Sequence, residues 1–99
     1  MLKKNQPLTQ EAFDKLLAWL NPDRDAAGQK YEAIRSKLIK YFLSKGSIEP
    51  EDLTDETINR VAQNIDEIAG KYEGTPEAYF LAVARKVCMV WYLPRKEAA

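Results

Sequence analysis

The sequence predicts an all-α protein, a compact bundle of about four helices. Three observations lead there. Apolar residues recur by threes and fours in four separate stretches. Each stretch opens near a capping residue or a proline, and asparagine, glycine or proline stands near its end. Nowhere do apolar and polar residues alternate as a half-buried strand requires, and no segment repeats or falls to low complexity.

Residues 1–8 read as a basic lead-in, residues 9–96 as one helical domain and residues 97–99 as a tail. Thr9 is the expected cap of the first helix, with Glu11 in the turn where the helix dipole favours an acid. Phe13, Leu16, Leu17 and Leu20 follow at helical spacing, and Trp19 is expected to pack at this helix's interface. In "NPD", Asn21 is expected to cap the second helix and Pro22 to occupy its first position, where a missing N–H costs nothing. That helix is predicted from Pro22 to Ser44, with Gly46 as its C-terminal cap. Its apolar face is Ala27, Tyr31, Ile34, Leu38, Tyr41 and Phe42, and its other face carries Lys30, Arg35, Lys37 and Lys40.

The third helix is predicted over the stretch Glu49 to Gly70, with Gly70 or Gly74 marking its end, on the stripe Leu53, Ile58, Val61, Ile65, Ile68 and Tyr72. Residues 49–69 hold seven acids and one base, Arg60, and most of the acids stand in the first turns. Solvation and the helix dipole would favour acids there in any bundle. The fourth helix opens on Thr75 as cap and Pro76 as first residue. It continues through Tyr79, Phe80, Val83, Val87, Val90 and Trp91 and is expected to stop at about Leu93, before Pro94. Phe80 is assigned to the core. Tyr79, its neighbour, faces elsewhere and is a candidate for a nucleic-acid or partner contact. Trp91 and Tyr92 either close the base of the bundle or stack on nucleic acid. Cys88, beside Val87, reads as a buried thiol.

Ninety-nine residues suffice for one modest core, burying roughly 65% of the unfolded surface. Formal charge is zero, and 45% of the residues are apolar. With no histidine, the chain lacks the commonest general base and metal ligand, and one cysteine builds neither a disulfide nor a thiolate zinc site. The four glycines form no phosphate-cradling pattern. A protein that is not an enzyme, with neither metal nor cofactor, is therefore expected. A lone cysteine, no membrane-length apolar run and an N-terminus without a signal-peptide core suggest a cytoplasmic protein.

Two blocks, "PEDLTDETINRV" at residues 50–61 and "EAYFLAVARKV" at residues 77–87, resemble region 2 of bacterial RNA polymerase sigma factors. The likeness is to the sigma-70 family and within it to the short, extracytoplasmic-function type. In the first block Glu51, Asp52, Leu53 and Glu56 match the family's E-D-L-x-Q-E pattern, with Asp55 in the glutamine position and Arg60 in the arginine position. In the second, Tyr79 and Phe80 stand for tryptophan and leucine, and Val83, Ala84 and Arg85 for isoleucine, alanine and arginine. Lys86 stands where the family has asparagine, Pro76 where it has an aromatic, and "YLPRKEAA" where it has a denser arginine tail. The resemblance spans about residues 9–96.

That resemblance implies a division of labour. Asp52, Leu53, Asp55, Glu56, Asn59 and Arg60 would dock on the basic clamp helices of the β′ subunit of core polymerase. Tyr79, Arg85, Lys86, Trp91, Tyr92, Arg95 and Lys96 would read and melt the minus-ten element of promoter DNA, the aromatics by stacking and the cations on phosphates. Lys30, Arg35, Lys37 and Lys40 would add backbone contacts. The charge layout agrees with such a division: residues 22–45 hold six bases and three acids, residues 70–99 five and three. An alternative is a sigma-like interaction module without promoter function, binding an anti-sigma-type or signalling regulator. The family's second DNA-binding domain has no room in 99 residues, so the chain is expected to be either part of a longer protein or a module acting alone.

Overall fold

A computed structural model describes the backbone of residues 8–98 and the side chains of residues 8–90. Five helices follow in order: α1 Gln10–Leu20, α2 Arg24–Ser44, α3 Pro50–Gln63, α4 Ile65–Lys71 and α5 Pro76–Ala98. No strand occurs among the described residues. α3 lies at the centre, packed chiefly against α2 and α5, while α1 crosses α2, α3 and α4.

Local chemistry explains most boundaries. The Thr9 hydroxyl accepts from the Ala12 N–H at 3.1 Å and caps α1, as expected. The Thr75 hydroxyl does the same for Ala78 at 3.2 Å, ahead of Pro76. After α2, Gly46 takes φ 83°, a left-handed conformation that glycine adopts without a Cβ clash. Its N–H bonds to Leu43 O and that of Ser47 to Phe42 O, each at 3.0 Å, the paired pattern of a Schellman motif.

Three boundaries differ from expectation. The cap of α2 is Asp23, not Asn21: its carboxylate accepts from the Ala26 N–H at 3.0 Å, and the helix starts at Arg24. Asn21 is already engaged on both sides. Its N–H closes α1 on Leu17 O at 3.0 Å, and its side-chain oxygen accepts from the Asp23 N–H at 2.8 Å. The predicted third helix is two helices, joined at Asn64. There the Asn64 side chain donates to Arg60 O at 3.0 Å and its N–H reaches Val61 O at 3.2 Å, local bonds that compete with a continuous ladder. Pro94 does not end α5, which continues to Ala98. A proline within a helix removes one backbone bond and crowds one carbonyl without forbidding the next turn.

The expected stripes form the core. Leu16, Leu17 and Leu20 of α1, Ala27, Ile34, Leu38 and Phe42 of α2, Leu53, Ile58 and Val61 of α3, Ile65 and Ile68 of α4, and Phe80 and Val87 of α5 are all buried. Ala84 and Cys88 join them, and Leu8, placed in the lead-in by sequence, packs on this core. α3 is covered on two sides, so Thr54 and Thr57 are buried as well. Val90 breaks the α5 stripe by being 55% exposed. At 1.5 Å per residue α5 is about 34 Å long against about 21 Å for α3, so it outruns the helix it packs on.

Trp19 sits at the opposite end, its ring 6.4 Å from Tyr72, 6.1 Å from Tyr79 and 6.3 Å from Phe80. The Tyr72 and Tyr79 rings are 5.0 Å apart. This cluster ties α1 to the turn between α4 and α5. Gly74 serves the turn, since a Cβ there would collide with the Tyr72 hydroxyl.

Candidate docking surface

The acidic block lies on α3, whose buried face is broad. At 100° per residue, Asp52, Asp55, Glu56 and Asn59 fall within an arc of about 100° on the side away from that face. Asp52 and Asp55 are exposed, while Glu56, Asn59 and Arg60 are half-buried. Leu53 does not belong to this surface: it is 4% exposed and part of the core. Its place in the motif is explained by packing, because the residue one step from Asp52 turns 100° into the bundle.

The acids differ in their partners. Asp55 accepts from the Arg35 guanidinium of α2 at 2.9 Å. Glu56 accepts from Arg60 Nε at 2.8 Å, one turn along α3. Glu49, Glu51 and Asp52 make no ion pair among the described residues. Burial, the largest single influence, works against the Arg35 charge, yet the Asp55 carboxylate beside it, together with Tyr31 and Glu51, raises its pKa. Arg35 is thus a partner of α3, rather than a free cation of a basic face.

The remaining described cations among the expected DNA contacts stand on α2 and α5. On α2, Lys30, Lys37 and Lys40 share an arc of about 80°, while Arg35 stands about 140° round the helix from Lys30. Lys37 and Lys40 are exposed and Lys30 is half-buried. On α5, Lys86 and Tyr79 lie about 20° apart, two turns along one edge, and Arg85 lies about 100° from Lys86. Both α5 cations are exposed. Arg85 is near enough to Tyr41 of α2 for its charge to lower that phenol's pKa, although burial, the larger influence, raises it. Tyr79 is half-buried in the Trp19 cluster. The side chains of Trp91, Tyr92, Arg95 and Lys96 lie outside the described residues.

Sequence reasoning missed a groove of about 280 Å³ beside this surface, where Leu8, Ala12 and Lys15 meet Asn59, Ala62 and Asp66. Lys15 spans one side of it, 3.2 Å from Asp66 and 3.6 Å from Glu11. Among the described residues, no group of three or more His, Cys, Asp or Glu side chains is placed to hold a metal ion. No described helix is long and apolar enough to cross a membrane. Comparison of the chain with protein-family models, curated proteins and solved structures finds no match.

Proposed function

We propose that this chain is a sigma-factor-type transcription initiation module that docks on the β′ clamp helices of RNA polymerase through the exposed arc of α3. One observation carries the reading. Asp52 and Glu56, which match the family block, stand with Asp55, in its glutamine position, and Asn59 on one side of α3, Asp52 and Asp55 exposed and the other two half-buried. A basic helix laid along that face would meet carboxylates in series, and such complementarity sets specificity and encounter rate. Promoter contact at the minus-ten element is the second half of the proposal, assigned to the Lys86 edge of α5 with Arg85.

A second reading keeps the docking helix but drops DNA, leaving an interaction module for an anti-sigma-type or signalling regulator. The engagement of Arg35 by Asp55, which takes one cation out of the α2 set, favours it.

One experiment with two arms tests both. A β′ clamp-helix fragment is titrated with the wild type and with Asp55→Lys/Glu56→Lys, which reverses two charges on the arc. The expected result is wild-type binding weakened about tenfold or more. Equal binding, or no binding by the wild type, would remove the polymerase reading. In the second arm a single-stranded minus-ten oligonucleotide is followed by fluorescence anisotropy. Salt-dependent binding that Arg85→Gln/Lys86→Gln weakens supports promoter contact, and no binding at low salt favours the interaction module.

A further inference from the structure

The Arg35–Asp55 pair joins one residue expected to touch DNA with one expected to touch a protein. Its geometry is specific. One guanidinium nitrogen, Nη2, reaches Oδ1 of Asp55 at 2.9 Å, bridging α2 and α3. The Arg35 side chain is 29% exposed and that of Asp55 58%. Glu51, on the same side of α3, also acts on the Arg35 charge. The Glu56–Arg60 pair is different, because both members ride on α3 and move with it.

We infer that Arg35 is an internal competitor for the docking surface: it holds Asp55 in the free protein and must yield it to a base of the partner when the α3 arc docks. The inference rests on the docking reading above. Asp55 keeps most of its side chain in solvent, so an incoming base reaches it from outside without unpacking the core. The existing contact is a single charge-assisted bond, not the two-pronged fork that arginine makes in its strongest carboxylate pairs. Exchange is therefore a swap of one exposed ion pair for another. Arg35 also places a positive charge beside the path of a basic partner, which opposes docking until the new pair forms. Docking strength is then set by residues on two helices, and α2 lowers it.

The test is the titration of a labelled β′ clamp-helix fragment at low ionic strength. Six proteins are compared: wild type, Arg35→Gln, Arg35→Lys, Arg35→Gln/Asp55→Asn, Asp55→Lys/Glu56→Lys, and Lys71→Gln. Lys71 is exposed on α4 and controls for net charge alone. Arg35→Gln should tighten binding about threefold, the scale of one exposed ion pair. The gain should shrink as salt rises and vanish in the double variant, while Lys71→Gln should leave affinity nearly unchanged. Arg35→Lys, which keeps the charge, maintains the test should glutamine loosen the fold; it should bind no tighter than wild type. Equal or weaker binding by Arg35→Gln, with wild-type binding still dependent on Asp55 and Glu56, would overturn the competitor role alone. An equal gain from Lys71→Gln would reduce the effect to net charge and overturn it too. If neither wild type nor Arg35→Gln binds, the docking reading itself falls.

Discussion

Thr54 is fully buried on α3, and its hydroxyl is the one buried side-chain polar atom among the described residues that lacks a hydrogen-bond partner. Thr57, one turn on and equally buried, is satisfied by Leu53 O at 2.8 Å. A buried, unpaired hydroxyl costs more than it returns. Thr54→Val should therefore raise stability by about 1 kcal/mol, read as a higher urea midpoint at unchanged slope. A loss of similar size would mean that the hydroxyl is bonded after all. Neither threonine was legible as core in the sequence, where a polar residue beside an apolar stripe marks the edge of the buried face. Leu53 shows the converse. Its burial followed from periodicity, and its assignment to docking came only from the motif in which it sits.

Helix ends were legible where the capping group acts on its own neighbours. Thr9, Gly46 and Thr75 each work within a few residues, so their types and places suffice. In "NPD" two residues compete for one task, and the one left free by α1 wins. Asp23→Ala should cost about 1 kcal/mol of stability and Asn21→Ala clearly less, measured by thermal melts of both variants. The reverse order would return the cap to Asn21. The break at Asn64 left no trace in periodicity, because Ile58, Val61, Ile65 and Ile68 keep their spacing across it. Its use is geometric. It frees α4 to turn onto α1, where Asp66 meets Lys15.

At the scale of the molecule, charge decides both behaviour with pH and the character of the surface. The chain has no histidine, and the resolved shifts lie at the acid and alkaline limits. Hydrogen bonds from Arg24 and then Gln10 hold the exposed Asp14 carboxyl below its usual pKa. Its contribution is present above the ordinary carboxylate value, about 3.9, and is lost as pH falls through the lower folded value. Lys15 is raised, first by its hydrogen bond to Asp66, so its contribution is present below the ordinary lysine value, about 10.4, and is lost above it. Burial raises the phenols of Tyr31 and Tyr41, which likewise favours the fold below their ordinary value, about 10. Stability should thus be level from about pH 5.5 to 8.5, and a urea-midpoint change equivalent to more than about 1 kcal/mol in that window would contradict this account. The segregation of charge along the chain was visible in sequence. Its consequence was not, since folding pairs part of the acidic block with part of the basic helix.

Helix type, stripe and most caps follow from neighbours within about one turn, and so did the order of acids along α3. What folding added depends on residues distant in the chain. Arg35 meets Asp55 across 20 positions, and Trp19 meets Tyr79 and Phe80 across about 60. Periodicity says which way a side chain points from its own helix axis. Which side chain stands opposite is set by how the helices pack, and that placement leaves Asp52 open to solvent while Asp55 is held by Arg35.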